Sequence, residues 1–181
     1  MNAIGSKVDG SLWKEEVQLH DGSRIIVRRA QRYGELGEFD LSLHVQEHTI
    51  SFELPRTGKT LTFKSQYGAD IERTNFNLLA LHILDDTPFL IAEANLYRPY
   101  NKWRKPALDY VVFKHDGKDW LHIPLMALPA GIKTVNLIVN GCAEDIERAA
   151  RQHGYVPAEE VRKLNRRLAK PKYHVILRET E

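Results

Sequence analysis

Hydrophobic and polar residues alternate in short blocks along most of this chain. In "SLWKEEVQL" (11–19) Trp13, Val17 and Leu19 fall near a period of two, and in "RIIVRRAQRY" (24–33) Ile25 and Val27 do the same. A period of two sends successive side chains to opposite faces of a strand, so one face is buried and one is wet. Asp21-Gly22 stands between these runs. An Asp-Gly pair between β-prone runs predicts a hairpin, because glycine accepts the positive φ that the reversal needs. "HTISFELP" (48–55) and "KTLTFKSQY" (59–67) form a second pair around Arg56-Thr57-Gly58. "NFNLLALHIL" (75–84) and "PFLIAEANLY" (88–97) form a third around Asp85 to Pro88. Their apolar residues run almost without interruption, as in strands covered on both faces, and a short buried helix over 75–84 competes with that reading. "DYVVFKH" (109–115) and "KDWLHIPL" (118–125) form the fourth pair around Asp116-Gly117, and "KTVNLIVN" (133–140) suggests a ninth strand.

The pattern then changes. "CAEDIERAARQHG" (142–154) reads as a helix that Gly154 stops. "PAEEVRKLNRRLAK" (157–170) reads as a second, with Pro157 in its first turn, Pro171 just past its end and an apolar stripe of Val161, Leu164 and Leu168. "KYHVIL" (172–177) is placed as a returning edge strand. Four hairpins raise the possibility of propeller blades, but they share no motif at fixed spacing and are too few strands for four blades. The predicted fold is therefore mainly β (α+β): an antiparallel β-sandwich or partly open barrel of eight to nine strands with a C-terminal helical segment. Residues 1–10 are expected to be a flexible N-terminus and 11–181 a single domain, β-rich over 11–140 and helical over 141–171. Residues 34–47 read as a loop.

Composition narrows the chemistry. The chain has 181 residues, 43% apolar and 28% charged, which suits one folded domain. With 26 basic and 24 acidic residues its formal charge is only +2. That balance supplies no global field for nucleic acid or an anionic membrane, so nucleic-acid binding is disfavoured and would need a local patch. The single cysteine, Cys142, excludes an internal disulfide and a Cys-rich zinc site. No apolar run approaches the ~20 residues of a membrane span, and "MNAIGSKVDG" lacks the apolar stretch of a secretory signal. As written the chain reads as cytoplasmic. A chain whose leader had been removed would be periplasmic or membrane-anchored.

Local motifs are weak. "HVQEH" (44–48) matches H-x-x-E-H, which binds zinc when a helix presents both histidines on one face. Here His48 opens an alternating strand, so loop-to-strand histidines are the preferred reading. "RTGKT" (56–60) ends like a phosphate-binding loop, but Glu53 stands where that loop needs its first glycine. Cys142 sits at the start of a predicted helix, where the dipole favours a thiolate. A small capping residue is the ordinary outcome for such a cysteine, and no partner base can be named from sequence. There is no G-x-S-x-G elbow, and Asp85, Asp86, Asp116 and Asp119 are turn residues. Arg162, Lys163, Arg166, Arg167 and Lys170 offer cations to phosphates. Glu159 and Glu160 share their helix, so a solvated face with i,i+3 and i,i+4 pairs is the preferred reading. No cofactor or metal is expected.

One stretch stands out. In "NLYRPYNKWRKPALDY" (95–110) aromatic rings alternate with cations. Tyr97, Arg98, Tyr100, Lys102, Trp103 and Arg104 are the candidate binding residues, since Tyr, Trp and Arg are favoured at binding hot spots. The competing reading turns Tyr97, Tyr110 and Trp103 inward to seal the end of the sandwich, with cations lying over them.

Several phrases also carry a likeness: "SLWKEEVQLHDGSRIIV", "EHTISFELP", "NFNLLALHILDDTP", "YNKW" and "YVVFKHDGKDWLHIPL". Over most of residues 11–140 the chain resembles a family of uncharacterised proteobacterial proteins, some with signal or lipoprotein leaders. The resemblance implies a bacterial protein and brings no activity or site residue with it. The expected function is a non-enzymatic module that binds a protein partner through the aromatic-basic loop. The alternatives are a glycan-binding cell-envelope domain that stacks sugars on Tyr100 and Trp103, or an enzyme with an unrecognised site, for which Cys142 is a candidate.

Overall fold

In the computed structural model, residues 10–33, 45–65, 76–94 and 110–178 are described below. They form eight strands in two four-stranded antiparallel meanders. Sheet A holds β1 (Gly10–Gln18), β2 (Arg24–Tyr33), β3 (Val45–Glu53) and β4 (Thr60–Lys64), in that spatial order. Sheet B holds β5 (Phe76–Leu84), β6 (Thr87–Ala94), β7 (Tyr110–His115) and β8 (Trp120–Ile123), also in order. Two short helices follow, α1 (Ala143–Ala150) and α2 (Ala158–Asn165). No described helix is long and apolar enough to cross a membrane.

The turns follow from their residues. Gly22, Gly58 and Gly117 have positive φ in three of the hairpins. In the fourth, Asp85 and Asp86 both lie in the left-handed region (φ 49° and 61°) between Leu84 and its partner Thr87. Positive φ at both central residues is the type I′ reversal that matches strand twist, and Asp is among the few side-chain-bearing residues that enter it readily. The competing helix over 75–84 is therefore not formed.

The inner faces meet in one core. Val17, Val27, Ile50, Phe52, Leu61 and Phe63 of sheet A pack on Phe76, Leu78, Leu81, Ile83, Leu90 and Phe113 of sheet B. The Phe63 and Phe113 rings lie 4.8 Å apart. Each such side chain contributes roughly 1.5–3 kcal/mol on burial. The outer face of sheet B is buried too: Leu79, Phe89, Ile91, Tyr110 and Val112 pack under Leu128, Ile132, Val135, Val139 and Ile176. That second layer explains the nearly unbroken apolar runs of β5–β7. Arg178 fastens it by donating to the Leu128, Pro129 and Ile132 carbonyls, and Lys172 pairs with Glu93.

Two sequence expectations fail in this layer. Residues 133–140 form no strand; they run irregularly, with one bridge between Thr134 and Val175. Residues 172–177 contribute only that bridge after a 3-10 turn at Pro171–Tyr173. The reason is a shared seam. Leu79 O at the open edge of β5 accepts from Asn136 N and Leu137 N, and the Asn136 side chain takes the neighbouring Leu81 groups, so one residue replaces a ladder. The helices are also shorter than expected. The first ends at Ala150, four residues before Gly154 (φ 75°), whose N–H donates to Ala150 O (2.8 Å) to close the following turn, and Pro157 caps α2 rather than entering its first turn.

The four tight turns lie at one end of the sandwich. Arg56 bonds Asp86 (2.7 Å) and Lys59 reaches Gly117 O (3.3 Å), tying three of them together. The strand ends that flank 34–44, 66–75 and 95–109 all lie at the opposite end.

Candidate functional site: a basic basin at the sheet seam

Tyr97, Arg98, Tyr100, Lys102, Trp103 and Arg104 lie outside the described residues, as does His44. Tyr110, at the start of β7, is buried. Its hydroxyl accepts from Leu177 N (3.2 Å), and burial raises its pKa. It belongs to the fold, as the inward-turning reading had it. His48 lies in β3, facing Gln31 and the Phe76 backbone rather than a helix partner. Burial and the nearby Arg29 charge hold its pKa down to about 3. Cys142 is exposed at the N-cap of α1, where its thiol helps to hold the Asp145 pKa down. The cations of the second helix are largely paired: Arg162 with Glu159, Lys163 with Glu160, and Arg167 with Asp145 (2.7 Å). This is the solvated-face reading; among the described residues Arg166 and the exposed Lys170 make no ion pair.

Arg166 opens onto a basin of about 500 Å³ between the β1–β2 turn, residues 131–136, α2 and residues 173–174. Its geometry begins with Asn136. The buried side-chain oxygen accepts from Leu81 N (2.8 Å), and its amide donates to Leu81 O (2.7 Å) and Gln18 O (3.0 Å). One side chain thus joins the edge of β5 to the edge of β1, and the basin sits over that joint. Asn165 works the same way from α2. It accepts from Val139 N (3.1 Å) and donates to Leu137 O (2.8 Å), holding the helix against the seam. Val161, Leu19 and Val135 give the basin apolar walls.

Tyr173 aside, the ionisable side chains around it are all of basic type. His20, Lys133, Arg162, Arg166 and His174 line the basin, and no acidic residue does. Arg162 is steered by Gln18 Oε1 (2.7 Å) and Glu159 (3.4 Å). Arg162 and Arg166 lie one helical turn apart, so both project to the same side. Among the described residues neither Lys133 nor Arg166 makes an ion pair. Behind His20 stands His82, fully buried, at a ring separation of 6.4 Å. His82 donates Nε2–H to Thr134 O (2.8 Å), which leaves Nδ1 as a buried lone pair without a donor. Burial lowers the His82 pKa most, and the His20 charge adds to the fall, against the opposing Thr134 bond. His20 Nδ1 is likewise buried and unpartnered.

Sequence reasoning named Arg162 and Arg166 but not the basin. Asn136, His20 and His82 look like ordinary residues of β runs. Their meeting depends on β1, β5 and 131–136 coming together across more than a hundred positions. No known protein family, curated protein or solved structure matches the chain.

Proposed function

We propose that this protein is a non-enzymatic binding module whose basin captures an anionic group, a phosphate or carboxylate, of its ligand. The observation that carries the reading is the basic lining, with Lys133 and Arg166 uncompensated over apolar walls. Guanidinium forks bind both kinds of oxyanion bidentately. The polar groups beneath the basin favour binding over chemistry: Asn136 and Asn165 are committed to backbone partners and hold the walls in place.

The test is thermal denaturation with inorganic phosphate or citrate against chloride at equal ionic strength. Saturating anion at about a hundredfold over Kd adds ~2.7 kcal/mol, which raises Tm by roughly 5–10 °C in a protein of this size. Arg166→Glu and Lys133→Glu should each remove that rise. An equal rise in both variants, or none in the native protein, overturns the reading.

A second reading keeps the expected protein partner on Tyr97, Arg98, Tyr100, Lys102, Trp103 and Arg104. It is favoured by the strand ends of β6 and β7, which lie at the same end of the sandwich as those flanking 34–44 and 66–75. Connections gathered at one end of a rigid scaffold commonly carry recognition. Joint substitution of Tyr100, Trp103 and Arg104 by alanine should then remove partner capture and leave Tm unchanged. Loss of a tryptophan fluorescence response to glycans would mark the cell-envelope alternative instead.

A further inference from the structure

We propose that the outer face of β1 and β2 is a docking strip for an extended acidic peptide of a partner protein, independent of the basin. The strip begins with a pairing that strands avoid. Lys14 and Arg28 stand directly opposite one another in the β1–β2 register, and both are exposed. Among the described residues neither side chain has an ion pair or hydrogen bond. Like charges directly opposite weaken a sheet. Positions that break a local rule without a local gain are expected where function lies.

Apolar residues flank the two cations. Leu12 is 81% exposed and Ile26 41% exposed, both on the same face as Lys14 and Arg28. Ile26 lies midway between Arg28 and Arg24, and four residues of strand separate those cations by about 13 Å. Arg24 is balanced by Glu16 (3.0 Å) and Glu159 (2.7 Å), whereas Lys14 and Arg28 make no ion pair among the described residues, Glu53 being the one acid that lines the trough beside them. The two sheets also differ in their covering. The outer face of sheet B is buried beneath the C-terminal layer, while this part of sheet A borders an open trough of about 440 Å³ reaching to the β3–β4 turn.

The occupant follows from charge and spacing. An extended chain places residues i, i+2 and i+4 on one face. An acidic side chain at i with an apolar one at i+2 repeats the spacing of Arg28 and Ile26, with Lys14 opposite Arg28 as a second cation for the same acid. A single-stranded nucleic acid shares the charge but calls for aromatic stacking platforms. Trp13, the aromatic residue of β1, lies on the other face, with Arg29 over its ring.

The experiment is fluorescence anisotropy of a labelled, capped nonapeptide in which Glu, Ser, Leu and Ser repeat, at low ionic strength. Saturable binding is expected, weakened by about tenfold or more in Lys14→Glu and in Arg28→Glu, and weakened by added salt. Arg166→Glu, in the basin, should leave it unchanged. Lys14→Glu places an acid opposite Arg28, so its Tm should hold or rise, which separates lost binding from lost folding. The proposal is overturned by absence of saturable binding, by native affinity in both variants, or by tighter binding of an oligothymidylate that the same variants weaken.

Discussion

At the scale of single residues, Asn136 shows how an amide can do the work of a strand. It satisfies the N–H and C=O of Leu81 and the C=O of Gln18, groups that two sheet edges would otherwise leave buried without partners. Leucine has similar bulk and none of that bonding. Each orphaned buried group costs about 1–3 kcal/mol. Asn136→Leu is therefore expected to lower stability by ~3 kcal/mol or more, read as a fall in the urea midpoint with an unchanged m-value. Asn136→Asp keeps the oxygen that accepts from Leu81 N but turns a second carboxylate oxygen toward two carbonyls, and it should be at least as damaging. A midpoint within experimental error of the native protein in both variants would mean that the seam is held elsewhere. The sequence reads "TVNLIVN" as a strand because its apolar residues are real core residues. What it cannot display is that their backbone partners include a side chain.

At the scale of elements, β1 and β2 were legible as a hairpin from Asp21-Gly22 and from Val17, Leu19, Ile25 and Val27. Two positions on their buried face were not legible, because they carry charge. Glu15 and Arg29 share that face with Val17 and Val27, and both are almost wholly buried. Glu15 accepts from Trp13 Nε1 (2.6 Å), Arg29 NH1 (3.0 Å) and Ile138 N (3.1 Å), so one carboxylate ties β1, β2 and the 135–139 segment together. A polar residue at an inward position breaks the period-two signal, and its compensation comes from across the hairpin, at Arg29, and from Ile138 N more than a hundred residues away. The candidate binding residues 97–104 show the opposite limit: composition singled them out, while strand pairing places only the ends of β6 and β7 beside them. For the pair itself, Glu15→Gln leaves the guanidinium buried without its counter-charge, at a cost of about 3–5 kcal/mol. Adding Arg29→Met to Glu15→Gln removes the stranded charge, so the double variant should be more stable than Glu15→Gln alone. Equilibrium unfolding of the four proteins in a double-mutant cycle reads the coupling directly, and strict additivity would deny the pair its role.

At the scale of the whole molecule, the sandwich is closed around neutral imidazoles, and this sets how it meets acid. His48 lies on the inner face of sheet A with its pKa held to about 3 by burial first and the Arg29 charge second. His82 is displaced in the same direction, chiefly by burial. A histidine whose folded pKa lies below its unfolded value of about 6.5 favours the unfolded chain once the solution can protonate it. Above that pH both states are neutral and stability is full. As pH falls below it, the unfolded chain takes up the proton and the folded one resists until about pH 3. For His48 the loss reaches ~2 kcal/mol by pH 5. His82 adds to it in the same window. The exposed carboxylates act later: Asp21, Asp116, Asp145 and Glu159 have lowered pKa values, so their contribution disappears only as pH falls through the carboxylate range. Urea unfolding at pH 7.5, 6 and 5 should therefore show stability already falling before the carboxylates titrate. In His48→Gln the absolute stability depends on how well the amide packs, but the slope between pH 6.5 and 5 should be shallower, because one of the protons that drives unfolding is gone. A native profile flat over that interval, or a His48→Gln profile parallel to it, would mean that the core accommodates the imidazolium.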